Sequence, residues 1–231
     1  MSSNRRKAFD TPQSNPAQRY IEWKSNEKCF EYYDKTQAES ENKGKIKLPL
    51  PFKFVVLDEL HAVKGWNDAT GSGIFSNEVK FVSKETMVVK PFKGNEIANG
   101  LYKDIKEKVK SAGGYYVKSI YIMMEDGTLC NIKLKGSAVQ EWGAFIQKTK
   151  NRLPDEWVIV KEAKEAKKGS VKYSVPVFEF ERSLSESEAE QADECFNTLE
   201  AFMVTYLSKT EPDVPEDVYE DPEENKDDLD F

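Results

Sequence analysis

Residues 115–135 read Y-Y-V-K-S-I-Y-I-M-M-E-D-G-T-L-C-N-I-K-L-K. Two strand-like runs, 115–124 and 128–135, flank Asp126-Gly127, the standard signal for a two-residue hairpin turn. That turn sets Met124 opposite Leu129, Ile122 opposite Asn131, Ile120 opposite Lys133 and Lys118 opposite Lys135. Side chains alternate with a period of two, so these residues share one face with Tyr116. The other face carries Tyr121, Met123, Cys130, Ile132 and Leu134 around the small Ser119, and it reads as the core face. The first face is mixed, becoming basic and aromatic at the end away from the turn.

The flanking chain supports a sheet around this hairpin. Residues 28–35 alternate well enough for a short strand. Residues 46–60 set Leu48, Leu50, Phe52, Phe54 and Val56 on one face, with Pro49 and Pro51 suited to a strand entry. Shorter strands follow at 74–82 and 86–92. Leu101, Ile105 and Val109 recur at helical spacing over 99–112, and Gly113-Gly114 ends that helix. A second helix is predicted over 137–148. A last hairpin pairs 156–160 with 171–180 across a charged loop through Gly169. From Ser185 the pattern turns helical, with a Ser185/Glu188 capping box and a stripe of Ala192, Cys195, Phe196, Leu199, Phe202, Met203 and Tyr206. That stripe must dock on the body or on another subunit. About seven short strands with few helices point to a mainly β, α+β fold. The expected form is a small oligonucleotide-binding (OB)-like β-barrel of about 5–7 strands with capping helices.

Charge divides the chain more sharply than hydropathy does. The 231 residues carry a net −7, but 184–231 hold 17 acids against 2 bases, a net of −15. The preceding 183 residues are therefore net +8. A basic body suits nucleic acid, and an acidic tail can compete for the same surface. The expected organisation is a disordered basic arm at 1–18 with Arg5, Arg6 and Lys7, an OB-like nucleic-acid-binding domain at 19–182, an amphipathic helix at 183–208 and a disordered acidic tail at 209–231. The polar N-terminus has no apolar core of a signal peptide, and no run approaches a membrane span, so no membrane partner is expected. Cys29, Cys130 and Cys195 are odd in number and far apart, which argues against a disulfide framework or zinc site and for a reduced, cytoplasmic setting.

Enzyme motifs are weak. F-V-V-L-D-E-L-H at 54–61 looks like the acidic box of a helicase, but the chain has no G-x-x-x-x-G-K-[ST] phosphate loop to accompany it. His61 is the single histidine, with no nucleophile elbow around it. No catalytic residue, metal or cofactor is expected. Basic and aromatic residues instead interleave at Tyr32–Tyr33–Lys35, Lys45–Lys47–Lys53, Lys64–Trp66, Phe75–Lys80 and Tyr116–Lys118–Lys133–Lys135. Single-strand binding needs that pairing, because rings stack on bases without sequence preference while lysines neutralise phosphates. The candidate DNA-binding residues are Tyr116, Lys118, Asn131, Lys133 and Lys135 on the hairpin, Lys64 and Trp66 nearby, and Tyr33 and Lys47.

From Glu211 onward there are eleven carboxylates and one lysine, Lys226, and the chain closes on D-D-L-D-F. Asp227, Asp228, Leu229, Asp230 and Phe231, with the acidic run before them, resemble the acidic tips of bacterial and bacteriophage single-stranded DNA-binding proteins. The resemblance implies an OB-fold body and sequence-tolerant binding of single-stranded DNA in replication, recombination or repair within an infected host cell. It also implies that those five residues recruit partner enzymes. The bacterial pattern has a Gly/Gln-rich linker where this chain has an amphipathic helix, which favours a monomer, or a homodimer through helix 185–207, over a tetramer. A reading from another class is a non-catalytic viral interaction or structural factor whose tail solubilises it or mimics nucleic acid. The two differ in whether the positive charge of the body lies along one groove or is scattered.

Overall fold

The computed structural model describes residues 14–209. In chain order the strands are β1 (Tyr20–Lys24), β2 (Cys29–Tyr33), β3 (Lys45–Leu48), β4 (Phe52–Asn67), β5 (Ser72–Ser76), β6 (Met87–Pro91), β7 (Ala98–Gly100), β8 (Gly114–Met124), β9 (Leu129–Lys135), β10 (Glu156–Lys168) and β11 (Val171–Ser183). The helices are α1 (Tyr102–Ser111), α2 (Gly136–Thr149) and α3 (Glu186–Tyr206).

The β8–β9 hairpin turns on three residues, not two. The Gly127 N–H donates to the Met124 carbonyl at 2.9 Å, and the Met124 N–H donates to the Thr128 carbonyl at 3.0 Å. Gly127 takes a φ of +76°, the left-handed conformation that follows a type I turn in a three-residue loop. One extra residue in the turn shifts the register by one. Met123 pairs with Leu129, Ile122 with Cys130, Ile120 with Ile132 and Lys118 with Leu134. Every side chain of β9 therefore lies on the face opposite to the one expected from a two-residue turn. Tyr116 and Lys118 share one face, and Asn131, Lys133 and Lys135 share the other.

Both faces of this hairpin are buried. On the first, Ile120, Ile122, Cys130, Ile132 and Leu134 join Ile21, Phe30, Phe54, Val158 and Phe178, and Trp142 of α2 is fully buried among them. On the second, Tyr121, Leu129 and Leu60 pack under Leu199, Phe202 and Met203 of α3. A smaller group, Val55, Met123 and Trp157, takes Ala192. A register shift between Val56 and Asp58 keeps β4 in step with these layers. Before the bulge Phe54 and Val56 share the face of Ile122; after it Glu59 and His61 share the face of Ile120 and Lys118. The bulge thus moves the inward positions from even to odd residue numbers.

The strands form one mixed sheet of eleven, in the order β3-β2-β1-β9-β8-β4-β5-β6-β7, with β10 and β11 off that path. This departs from the small barrel of five to seven strands, and the reason is the 16-residue length of β4. Its edge away from β8 takes β10 at Phe52–Phe54 and β5 at Lys64–Asn67, so the sheet forks. The free flank of β11 meets the β1–β2 turn through side chains. The Ser174 N–H donates to Ser25 Oγ at 2.8 Å, and Trp23 Nε1 donates to the Ser174 carbonyl at 3.0 Å.

α3 begins with the expected capping box. Ser185 accepts from the Glu188 N–H, and the Glu188 carboxylate accepts from the Ser185 N–H. Arg182 clamps that carboxylate with two bonds of 2.6 and 2.7 Å, and this clamp with the cap holds Glu188 well below the usual carboxylate range. Each large side chain in the stripe adds about 1.5–3 kcal/mol when buried. Leu199, Phe202 and Met203 are buried against the chain's own sheet. Of the two docking partners expected for the stripe, the body takes these three residues, while Phe196 stays half-buried and Val204 and Leu207 are exposed.

Candidate nucleic-acid interface

The second face of the hairpin holds an internal polar network rather than a free basic surface. Lys133 is 9% exposed and Asn131 fully buried. Lys133 Nζ lies 2.5 Å from Oε1 of Glu78, itself 7% exposed, and donates to Ser119 Oγ at 2.9 Å. Tyr121 OH donates to the other Glu78 oxygen at 3.1 Å and accepts from Asn15 Nδ2 at 3.1 Å. Asn131 Nδ2 donates to Ser119 Oγ at 2.8 Å. A lysine committed to a buried carboxylate cannot offer its charge to a phosphate, so Lys133 and Asn131 leave the candidate set.

Tyr116 and Lys118 belong to a different cluster on the opposite face, between α1 and α2. Lys118 Nζ is paired with Glu59, whose second oxygen accepts from Trp142 Nε1 at 2.5 Å. Tyr116 OH is bonded to His61 Nδ1, and its ring lies 5.1 Å from that of Tyr102. Burial pushes the Tyr116 hydroxyl far above its usual range, so it stays protonated beside His61. Burial first, and then the Lys118 charge, lower the His61 pKa from 6.5 to about 4, with Glu59, Glu85 and Glu78 opposing. The sign follows directly. Between pH 6.5 and about 4 the unfolded chain takes up a proton at His61 that the folded chain refuses, so stability is lost as pH falls through that window. His61→Gln should flatten the fall of Tm across that range, read by circular dichroism; an unchanged profile would show that His61 is not buried neutral.

The remaining hairpin lysine meets a row of residues that the register brings together. Across β8, β4, β5 and β6, Tyr115 pairs with Lys64, Lys64 with Phe75, and Phe75 with Lys90. Lys135 Nζ lies 5.5 Å from the centroid of the Tyr115 ring, a cation–π arrangement. Phe92 stacks on Phe75 with centroids 4.7 Å apart. Trp66, two residues beyond Lys64 and paired with Gly73, extends the same face. The row crosses four strands, about 14 Å at the usual strand spacing. Glycines make the crossing possible: a Cβ on Gly113 would lie 2.1 Å from the Trp66 carbonyl oxygen, and one on Gly65 2.3 Å from the Gly113 carbonyl oxygen. α1 therefore ends directly against the strand that carries Lys64 and Trp66.

Of the predicted residues, Lys64, Trp66 and Lys135 come together here. Tyr115, Lys90 and Phe92 join them; their signal was alternation within two other strands, legible only once those strands are set in register. Tyr33 and Lys47 lie at the far edge of the sheet, where Tyr33 pairs with Lys45 and Lys47 is ion-paired with Glu27. Asp227, Asp228, Leu229, Asp230 and Phe231 lie outside the described residues, as does the basic cluster of the arm. Among the described residues no helix is long and apolar enough to cross a membrane, and no group of three or more His, Cys, Asp or Glu is placed to hold a metal ion. No protein-family model, curated protein or solved structure matches the chain.

Proposed function

We propose that the chain is a non-catalytic, sequence-tolerant single-stranded DNA-binding protein of the bacteriophage type, acting in replication or recombination in the cytoplasm of an infected cell. The observation that carries this reading is the cross-strand row Tyr115–Lys64–Phe75–Lys90, with Lys135 and Trp66 beside it. Phe75 is itself buried and stacked on Phe92, so the rings available beside Lys64, Lys90 and Lys135 are Tyr115, Trp66 and Phe92, a mixture that suits stacked bases and the phosphates between them. The core gathered from β1, β2, β4, β8, β9, β10 and β11 around Trp142 supports an OB-like curvature for that half of the sheet. The acidic tail competes with DNA for the basic surface, and Leu229 and Phe231 recruit a partner enzyme.

Titrating fluorescent poly-dT with the full chain and with a chain ending at Lys209, at two salt concentrations, tests the proposal. Binding should weaken with salt in both forms and be tighter in the shortened one at low salt. No binding in either form would sink the reading; equal affinity at low salt would remove the tail competition alone.

The interaction-factor alternative draws support from one observation. Several body lysines are engaged internally, with Lys80 on Asp58, Lys118 on Glu59, Lys133 on Glu78 and Lys53 on Glu181 at 2.8 Å. Much of the positive charge is thus structural, and failure to bind poly-dT would favour that class.

A further inference from the structure

Among the described residues Phe81 is the one exposed aromatic ring, with 56% of its surface open. It sits in the loop that joins β5 to β6, and the loop is tied down around it. The Asn77 side chain closes the neck, donating to the Thr86 carbonyl at 3.1 Å and accepting from the Val88 N–H at 2.7 Å. One side runs along the edge of β4 away from β8, where Val79 and His61 exchange two backbone bonds of 2.9 Å and Lys80 pairs with Asp58. The tip is a tight turn. The Phe81 carbonyl accepts from the N–H groups of Lys84 and Glu85 at 2.8 and 2.9 Å, and the Glu85 carboxylate accepts from those of Lys80 and Phe81 at 2.7 and 3.1 Å. Val79 and Val82, on either side of Phe81, pack into the core beneath α1. The backbone that carries Phe81 is therefore fixed while its ring stays outside.

Burying a phenylalanine is among the larger stabilising terms open to a chain. A braced turn that withholds one from the core suits a ligand anchor, because little ordering entropy is left to lose on binding. The charge beside the ring points to the ligand. Lys84 Nζ lies 5.7 Å from the ring centroid, and Lys84 is exposed, with no ion pair among the described residues. Glu85, the acid next to it, has a carboxylate oxygen committed to two backbone N–H groups. A ring with an exposed ammonium beside it matches a nucleotide, with the base on the ring and the phosphate at the ammonium. We propose that Phe81 is a further base-stacking residue of the single-strand site, with Lys84 contacting the adjoining phosphate. This rests on the single-strand-binding reading and extends its path. The strands that the loop joins carry Phe75 and Lys90 of the row, and His61, bridged to Val79, is three residues from Lys64 on β4. Counted along the strands, Phe81 is on the order of 15 Å from Lys64, so one short oligonucleotide covers both.

The test titrates labelled (dT)8 into full-length wild type and the variants Phe81→Ala, Phe81→Leu, Phe81→Trp and Lys84→Gln over a series of salt concentrations. Phe81→Ala and Phe81→Leu should each weaken binding roughly fivefold or more with the salt slope unchanged, and Phe81→Trp should bind at least as tightly as wild type. Lys84→Gln should make the slope of log K against log salt shallower by about 0.7, one phosphate contact. Circular dichroism should show an unaltered Tm in all four, since both side chains are exposed. Wild-type affinity in Phe81→Ala, in a chain that does bind DNA, overturns the Phe81 site alone. Loss in Phe81→Ala with full affinity in Phe81→Leu would mean an apolar contact without stacking and overturns it as well. A wild-type chain that ignores (dT)8 overturns this site together with the reading beneath it. If sedimentation showed a wild-type dimer and a Phe81→Ala monomer of equal DNA affinity, the ring would belong to a contact between copies and the proposal would fall.

Discussion

Replacing Lys133 with Met, or Glu78 with Gln, should destabilise the chain by about 3–5 kcal/mol, the usual cost of leaving one partner of a buried ion pair uncompensated. Both groups are nearly inaccessible, and their bond joins β9 to the segment between β5 and β6. The same carboxylate accepts from Tyr121 OH, so losing its charge also weakens a fully buried tyrosine beneath α3. Urea denaturation followed by tryptophan fluorescence should show a lower midpoint with little change in the slope m. The double variant Lys133→Met/Glu78→Leu should recover part of the loss, because it removes both charges together. Recovery should stay incomplete, since Ser119 loses the Lys133 donor and Tyr121 loses its acceptor. A single variant within about 0.5 kcal/mol of wild type, the range of ordinary surface substitutions, would show that the pair is open to water in solution.

That result would also mark where pattern reading stops. The central hairpin, both inner helices and the capped C-terminal helix are legible in the sequence from alternation, helical spacing or a capping box, whereas β1 and β7 are not expected from it and the run 46–60 divides into β3 and β4. The face assignments are not, since they depend on counting residues through irregularities. Asp126-Gly127 reads as a two-residue turn, yet Glu125 joins the loop, and that one residue moves Lys133 from a proposed DNA face into a buried pair. The bulge between Val56 and Asp58 does the same on β4, where Glu59 and His61 take up the inward positions that Phe54 and Val56 hold earlier. A buried lysine has no signature of its own in the sequence. Lys133 and Lys135 are two residues apart on one strand and one face, but only Lys133 has Glu78 over it.

Lys64 and Trp66 stay side by side for a simpler reason. Lys64 and Trp66 share a face whatever the register of their neighbours, because they are two apart on one strand. What the sequence could not show is that Tyr115, Phe75 and Lys90 line up beside Lys64, which requires the pairing of four strands. The last hairpin differs for another reason. Lysines and glutamates along 161–168 resemble a solvated loop, but the segment is held as strand by its ladder with β11 and by Ala163, Ala166 and Tyr173 packing against the core.

The row makes a demand that separates its two kinds of residue. Trp66→Ala and Tyr115→Ala together should weaken binding of (dT)8 by roughly 30-fold or more, since each stacked base is worth about 1–3 kcal/mol. The salt slope should stay unchanged, because no charge is removed. Lys64→Ala with Lys135→Ala should instead make the slope shallower by about 1.4 units, two phosphate contacts at about 0.7 each. Lys118→Ala serves as the control: its ammonium is committed to Glu59 on the opposite face, so stability should fall while the slope stays in place. If Lys118 changed the slope and Lys64 did not, the strand would lie between α1 and α2, over His61 and Tyr116. If the aromatic pair changed nothing, the row would be a charged surface without stacking. The ring of Tyr115 would then serve mainly to hold Lys135 in place, through the 5.5 Å contact between them.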